Sequence, residues 1–207
     1  MKQIDIKHPG SLKETKDMLS AGKILAFPTD TVYGIGCTVT HTASVRRMYA
    51  IKGREFQKAI PILIGDIRQL ELITKHINTC ATQLADHFWP GALTLIIEKN
   101  QDIPEIISPY PTVGIRMPDH NWLRELIVQI GPLAVTSANK SGQPSCDTPR
   151  EVEKQIGNQI DGLINGGICR GGNASTVVDC SQSQMKILRL GDITEKMIAS
   201  VLIKNNK

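Results

Sequence analysis

Basic side chains cluster in one short segment of the chain. Lys52 and Arg54 flank a glycine, and Lys58 follows four residues later. Arginine presents a planar fork of N–H donors and lysine a mobile point charge, so this set is suited to holding phosphate groups. Lys52 and Arg54 also stand where a predicted helix ends, and pairing with the helix dipole or a solvated helix face would explain them equally well.

Small polar side chains follow two apolar runs. Residues 28–36 read Pro-Thr-Asp-Thr-Val-Tyr-Gly-Ile-Gly, and residues 136–142 read Thr-Ser-Ala-Asn-Lys-Ser-Gly. Their hydroxyl and amide groups could contact a polar ligand, and the glycines would let the backbone approach it closely. The same residue types also form ordinary turns and helix caps, and taken alone residues 28–36 are better interpreted as a turn and residues 136–142 are readily explained as a loop with helix-capping residues.

Two further pairs fall on predicted strands. Thr112 and Arg116 have an even spacing, which places both side chains on one face of a strand. Ser175 and Arg189 are predicted to lie on neighbouring strands. Both pairs therefore combine a hydroxyl with a guanidinium side chain.

Several common catalytic signatures are absent from the sequence. It contains no G-x-x-x-x-G-K-[ST] phosphate loop, no G-x-G-x-x-G that opens a helix and no G-x-S-x-G elbow. The histidines stand apart from the cysteines, and no C-x-x-C pair occurs, so a zinc site is not expected. We predict reduced, mostly buried thiols at Cys37, Cys80, Cys146, Cys169 and Cys180.

The elements that must position these groups alternate between strand and helix. Helix-capping residues are predicted at Thr42, Asp66, Asn78 and Thr148, the last with Glu151 in a capping box. Helices are predicted over 11–21, 42–53, 122–130 and 193–203, and after the last three of these caps. Strands are predicted at 24–27, 60–64, 93–97, 113–117 and 133–136, and near 163, 176–178 and 186–188. This order predicts an α/β fold with a mixed sheet, with ligands beyond the strand ends.

Composition narrows the class of protein. The 207 residues fit a single domain, 41% are hydrophobic, and the net charge is +4. Aromatic residues are only 4%, which argues against stacking platforms for single-stranded nucleic acid. Because no apolar stretch has the length of a signal peptide or a membrane span, we expect a cytoplasmic protein with no membrane partner.

Taken in order, seven segments resemble the YrdC-like family, also called threonylcarbamoyl-AMP synthases. They are PTDTVYGIG at 28–36, KGR at 52–54 with Lys58, FWPGALTLI at 88–96, VGIRMPDH at 113–120, TSANKSGQPS at 136–145, STVVD at 175–179 and LRLG at 188–191. These segments extend from about residue 22 to residue 191. The family signature K-x-R followed by S-x-N is present as Lys52/Arg54 and Ser137/Asn139.

The resemblance implies an L-threonylcarbamoyladenylate synthase, a nucleotidyltransferase. Such an enzyme condenses L-threonine, bicarbonate or CO2, and ATP to threonylcarbamoyl-AMP and pyrophosphate, for the t6A modification at position 37 of tRNA. It also implies a twisted mixed sheet flanked by helices, with a large, positively charged concave cavity. The expected form is a short single domain over 1–207, which relies on separate tRNA-modifying transferase proteins and could itself bind tRNA or double-stranded RNA.

The resemblance also assigns roles to residues. Lys52 and Arg54 match catalytic positions. ATP contacts are implied for Arg54, Lys58, Thr112, Asn139 and Arg189, and threonine contacts for Thr31, Arg116, Ser137 and Ser175. Mg2+ is expected to arrive with ATP, held mostly by phosphate oxygens and water. The group that removes the amine proton is not identified, and Asp30 is not assigned to it.

Some points stay open at this stage. Residues 59–61 depart from the pattern of many relatives, which leaves the shape of that loop open, and Ser145, Cys146 and Thr148 are alternative nucleotide contacts. A second hypothesis is an RNA-binding module without nucleotide chemistry, which the low aromatic content and small net charge disfavour. A third is carbamoyl transfer, as in the YrdC-like domain of hydrogenase maturation proteins, which carry additional regions absent from this sequence.

Overall fold

The computed structural model describes residues 1–169, 171–182 and 184–204. The helices in these ranges are α1 (Ser11–Ser20), α2 (Thr42–Lys52), α3 (Thr79–Phe88), α4 (Asn121–Ile130), α5 (Pro149–Ile156) and α6 (Glu195–Lys204). The strands are β1 (Lys2–Asp5), β2 (Leu25–Phe27), β3 (Gly34–Thr38), β4 (Ile62–Leu63), β5 (Leu93–Glu98), β6 (Thr112–Arg116), β7 (Leu133–Ser137), β8 (Gly162–Asn165), β9 (Thr176–Asp179) and β10 (Lys186–Arg189). A short 3-10 helix spans Ile67–Leu72. The expected single domain over 1–207 includes residues 170, 183 and 205–207, which lie outside the described residues, and it stays a prediction.

These strands form one mixed sheet, as predicted. Their order is β1-β8-β2-β3-β7-β4-β6-β5-β9-β10. Parallel pairs join β8 to β1 and β2, β4 to β6, and β5 to β9. Antiparallel pairs join β3 to β2 and β7, β7 to β4, β5 to β6, and β9 to β10. Strands distant in the chain are therefore neighbours in the sheet, which is what brings separate motifs together.

Apolar side chains cover both faces of the sheet. The alternation along β2 sends Ala26 into one cluster and Leu25 and Phe27 into the other, as the two-residue period of a strand requires. The larger cluster takes its helical members from α2, α3, α5 and α6, and the smaller one from α1 and α4. Helices thus flank the sheet on two sides, in agreement with the sequence-based α/β assignment.

Helix starts follow local side-chain chemistry in three of the four predicted places. Asp66 and Asn78 accept hydrogen bonds from backbone N–H groups, and Thr148 forms a capping box with Glu151. The element after Asp66 is the 3-10 helix. The prediction for Thr42 is wrong, because Thr42 is already the first helical residue and the preceding His41 caps without a side-chain hydrogen bond.

Two strands were not predicted. β1 is short and mostly exposed, so its sequence lacks a continuous apolar run. β3 is an interior strand of the sheet, between β2 and β7, but it begins Gly-Ile-Gly, a pattern that indicates a turn. A Cβ on Gly34 would stand 2.7 Å from Cγ1 of Val135 on β7, so glycine there reflects close packing between neighbouring strands. The predicted strand 60–64 is reduced to β4, and the final helix begins two residues later than predicted.

Candidate functional site

A cavity of about 360 Å³ opens on one face of the sheet. Its walls come from the loop after β2, the start of β3, the segment after α2, and β4, β5, β6, β7, β9 and β10. Six of the residues assigned to the site by resemblance line this one cavity: Thr31, Arg54, Arg116, Ser137, Ser175 and Arg189. Three guanidinium groups and three hydroxyl groups, contributed by distant parts of the chain, therefore face a common space.

Arg116 is the most enclosed of these cations, with 7% of its surface exposed. Its Nη2 donates to Oδ1 of Asp30 at 2.6 Å, and its Nη1 donates to Oγ1 of Thr31 at 2.9 Å. Its Nε donates to the carbonyl of Gly91 at 3.0 Å. A buried ion pair and two further hydrogen bonds hold the guanidinium in one orientation at the cavity wall. The carboxylate at residue 30 thus serves as an ion-pair partner of Arg116.

The turn that carries Thr31 is organised by a second threonine. Thr29 Oγ1 accepts hydrogen bonds from the backbone N–H groups of Thr31 and Val32, and it donates to the carbonyl of Val32 at 2.7 Å. Its oxygen lies 3.0 Å from Oγ1 of Thr31. Both threonines line the cavity, with 7% and 2% of their surfaces exposed. This turn follows directly from the small polar residues that the sequence places after β2.

The cavity lining also contains Ser175 and Arg189, the predicted pair of strand residues. Arg189 on β10 donates from Nε to the carbonyl of Ser175 at 3.0 Å and from Nη2 to Ser175 Oγ at 3.3 Å. Ser175 Oγ lies 2.8 Å from Oγ1 of Thr94 on β5. Partial loss of hydration at the cavity wall lowers the pKa of Arg189, and the nearby charges of Arg116 and Arg54 lower it further. The predicted adjacency of these two strands is confirmed by the pairing of β9 with β10.

Arg54 lies in the segment that follows α2, and it lines the cavity. Its Nε donates to the carbonyl of Lys58 and its Nη2 to the carbonyl of Ala59, both at 2.9 Å. These bonds define the loop whose shape the sequence left open. The Lys58 ammonium does not line the cavity; it lies 3.4 Å from the carboxylate of Glu55, and its side chain is 58% exposed.

Lys52 and Asn139 lie behind the cavity wall and do not line it. Lys52 is 3% exposed, and its ammonium donates to the carbonyls of Ser137 and Asn139, the latter at 2.6 Å. Asn139 Nδ2 donates to the carbonyls of Lys140 and Gln143 at 2.9 and 2.6 Å. The K-x-R lysine and the S-x-N asparagine therefore shape the loop that presents Ser137. Burial is the main cause that lowers the pKa of Lys52 to about 8, with a smaller contribution from Arg54.

Thr112 also lies apart from the cavity, although its strand was placed correctly. Gly114 and Arg116 of β6 line the cavity, whereas Thr112 stands at the far end of the same strand, where its carbonyl accepts a hydrogen bond from Ser108. Among the three alternatives in the next loop, Ser145 lines the cavity. Cys146 is buried with its thiol against the Ala138 carbonyl, and Thr148 caps α5.

Sequence reasoning overlooked Thr94, and it treated Thr29 only as part of a polar turn. Thr94 is a single hydroxyl residue inside the apolar strand β5, with 4% of its surface exposed, and it lines the cavity beside Ser175. A polar residue at an inward position of an apolar strand is a usable signal, because a buried hydroxyl needs a partner. The signal for Thr29 was its place among three small polar residues after a buried strand.

In the described part of the chain the cysteines form no disulfide, and the thiols of Cys80 and Cys180 lie within hydrogen-bond reach of each other. The five cysteines are unpaired, four of them buried and Cys80 half-buried, as predicted. Within residues 1–169, 171–182 and 184–204, no group of three or more His, Cys, Asp and Glu could hold a metal ion. In the same ranges, every helix is too short or too polar to cross a bilayer.

A family model and two curated relatives resemble most of this chain. The Sua5/YciO/YrdC model, described as "Telomere recombination", matches residues 17–191. A threonylcarbamoyl-AMP synthase from Bacillus subtilis is 39% identical over 188 residues, which are 89% of this chain and 54% of that protein. A putative threonylcarbamoyl-AMP synthase from Methanocaldococcus jannaschii is 36% identical over 89% of this chain and 86% of its own length.

A solved structure also superposes closely. P. abyssi Sua5 complexed with L-threonine matches with a TM-score of 0.92 and 34% identity, over 97% of this chain and 60% of that chain. The chain spans about half the length of the first curated relatives it matches, 54% in the proteins from B. subtilis and Pyrococcus abyssi. The similarity therefore covers nearly all of this chain and one part of those longer proteins.

Proposed function

The chain belongs to the Sua5/YciO/YrdC family, and from that premise we propose that it is an L-threonylcarbamoyladenylate synthase. It condenses L-threonine, bicarbonate or CO2, and ATP to threonylcarbamoyl-AMP and pyrophosphate, which makes it a nucleotidyltransferase. One observation carries this proposal: Arg54, Arg116 and Arg189 face the same cavity as the hydroxyls of Thr31, Ser137 and Ser175. The superposition on a relative that is complexed with L-threonine supports it.

The charges of the substrates explain why such a cavity suits the reaction. The amine of threonine attacks CO2 to give a carbamate and one proton. A carbamate oxygen then attacks the α-phosphorus of ATP, and pyrophosphate leaves with the electrons of the broken P–O bond. Carbamate, carboxylate and triphosphate repel one another, so fixed cations and oriented hydroxyls lower the barrier by offsetting that repulsion and holding the groups in line.

We assign the cavity wall around Arg116 to threonine. Arg116 faces the carboxylate, while Thr31, Ser137 and Ser175 supply hydroxyl contacts. Arg116 uses three of its five N–H groups within the protein, which leaves one on each terminal nitrogen for a carboxylate. Asp30 acts by holding Arg116.

We assign the wall around Arg54 and Arg189 to the nucleotide. Arg54 holds the phosphates, and Lys58 adds a second cation when its flexible side chain turns away from Glu55, an exposed pair that is weak. Lys52 and Asn139 act by shaping the loop that presents Ser137. Thr112 lies outside the cavity wall, so its role at the nucleotide requires a ligand that reaches beyond this cavity.

Mg2+ is proposed as part of the substrate MgATP. Phosphate oxygens and water supply most of its ligands in such complexes. The carboxylate nearest Arg116, Asp30, is already engaged in an ion pair, which fits a metal that the nucleotide carries into the site.

A pyrophosphate assay tests the proposed reaction. Purified protein, ATP, Mg2+, L-threonine and bicarbonate should release pyrophosphate, and omission of threonine or of bicarbonate should stop the release. Pyrophosphate release that does not depend on threonine, or the absence of any release, would contradict the proposal. Carbamoyl phosphate in place of threonine and bicarbonate separates carbamoyl transfer from the proposed reaction. We also propose that partner proteins in the cytoplasm transfer the threonylcarbamoyl group of the adenylate to tRNA. A test of this step needs those proteins in the assay.

The pH dependence of ATP binding should report the charge of Lys52. Because burial lowers the pKa of this ammonium to about 8, it is charged at pH 7 and neutral at pH 9.5. Loss of this positive charge behind the cavity wall should weaken binding of the anionic nucleotide about fivefold, which corresponds to a lost attraction of about 1 kcal/mol. Calorimetric titration of ATP into the protein at the two pH values measures this change. The Lys52→Met variant serves as the control and should show no such pH dependence; an equal dependence in it would assign the effect to another group.

A further inference from the structure

Two of the five thiols meet where the start of α3 packs beside the end of β9. Cys80 is the second residue of α3, and Cys180 directly follows the last residue of β9. Their sulfur atoms lie within hydrogen-bond reach of each other. The two cysteines are far apart in the chain, so the tertiary fold is what brings these thiols together.

Backbone contacts hold the two segments in this position. Asn78 caps α3 by accepting a hydrogen bond from the N–H of Ala81 at 2.9 Å, and its Nδ2 donates to the carbonyl of Cys180. The N–H of Cys180 donates to the carbonyl of Ile96 on β5 at 2.9 Å. The cap of α3 and the edge of β5 therefore fix residue 180 from both sides, and the thiol pair is part of a built junction.

The two thiols differ in access and in acidity. Cys80 is half-buried, whereas Cys180 is 1% exposed. Burial raises the pKa of both thiols, and their mutual hydrogen bond lowers the pKa of Cys80 while it raises that of Cys180. Cys80 also stands in the first turn of a helix, where the helix dipole favours a thiolate. A reagent from solution therefore meets Cys80 first, and Cys180 stands ready behind it.

We propose that Cys80 and Cys180 form a thiol–disulfide exchange pair, whose co-reactant is a small-molecule disulfide of the oxidised glutathione class. The Cys80 thiolate attacks one sulfur of that disulfide, whose S–S bond breaks to release the first small thiol. Cys180 then loses its proton and attacks the Cys80 sulfur, and the second small thiol leaves. The two protein thiols are oxidised, the small disulfide is reduced to two thiols, and an excess of dithiol reductant reverses the reaction.

Peptide mapping of the oxidised wild-type protein tests the pairing directly. The full chain is incubated with oxidised glutathione at mildly alkaline pH, alkylated, and digested without reductant. The count of titratable thiols should fall by two, and mass spectrometry should find the peptides of Cys80 and Cys180 joined. An adduct that stays on Cys80, a disulfide between two copies of the chain, or an unchanged thiol count would overturn the proposal.

Single substitutions separate the two roles. In Cys180→Ala, Cys80 should accumulate the glutathione adduct, because the resolving thiol is missing. In Cys80→Ser, the buried Cys180 should stay reduced. Cys37→Ala is the matched control, since Cys37 lies on the interior strand β3, and it should form the same disulfide as the wild type. Adduct formation at equal rates in Cys80→Ser and Cys180→Ala would overturn the order of attack. The wild-type mapping covers the case in which Cys180→Ala fails to fold.

Denaturant unfolding tests whether the native fold accommodates the bond. The disulfide closes a loop of about 100 residues, and a cross-link of that span restrains the unfolded chain. The oxidised wild-type protein should therefore unfold at a higher denaturant concentration than the reduced protein, and the difference should vanish in Cys80→Ser. A midpoint at or below that of the reduced protein would show that the bond strains the junction, and it would overturn the proposal.

Discussion

Replacement of Arg116 by methionine should abolish pyrophosphate release and destabilise the protein. The variant removes the cation assigned to the threonine carboxylate, and loss of one preorganised group of this kind lowers catalysis about 100- to 1000-fold. It also leaves the carboxylate of Asp30, whose side chain is 15% exposed, without its partner. Breaking a buried ion pair from one side costs about 3–5 kcal/mol. Denaturant unfolding and the pyrophosphate assay measure the two effects.

The two effects of the Arg116 substitution can be separated. Asp30→Asn combined with Arg116→Met removes both charges, and it should regain most of the lost free energy of unfolding because no uncompensated charge remains. Activity should stay lost in the double variant. Turnover that returns together with stability would show that Arg116 has only a structural role.

Replacement of Arg54 by alanine should lower kcat/KM for ATP about 100- to 1000-fold while the fold is retained. The guanidinium of Arg54 donates to the carbonyls of Lys58 and Ala59 in its own loop and forms no ion pair with another described residue, so its loss leaves no buried charge behind. Arg54→Lys should recover part of the activity, because an ammonium keeps the charge but loses the planar fork.

A matched surface substitution provides the control for Arg54. Arg68 is paired with Asp66, its side chain is 82% exposed, and it lies outside the cavity wall. Arg68→Ala should keep wild-type kcat/KM. Equal losses in the Arg54 and Arg68 variants would point to a general effect of net charge, and retained turnover in Arg54→Ala would refute the phosphate assignment.

Local chemistry explains which parts of the fold could be predicted from the sequence. Caps such as Asn78 and Thr148 act over three residues, so their signal is contained in a short segment. β3 could not be recognised, because its glycines are explained by the proximity of Val135, about 100 residues away. Strand pairing of this kind depends on tertiary packing, which overrides local propensity.

The candidate site divides in the same way. Hydroxyl and guanidinium side chains at strand ends could be identified from residue type and order, and six of them meet in one cavity. The burial of Lys52 could not be predicted from the sequence, since a lysine near a helix end is usually solvated. Lys52 is buried because the end of β7 and the loop after it cover its side chain. The carbonyls of residues 137 and 139 accept hydrogen bonds from its ammonium.

The strand order of the sheet has a consequence for biosynthesis. In the sheet β2 lies between β3 and β8, and the residues that line the cavity are spread along the sequence from Thr29 to Arg189. Contacts between residues so distant in the chain form late and slowly, because the loops between them must close first. A nascent chain still lacking β9 and β10 has a cavity wall without Arg189, so substrates should stabilise it less than they stabilise the complete sheet. Ligand-induced stabilisation is thus greatest in chains that have finished folding, and the gain grows with ligand concentration.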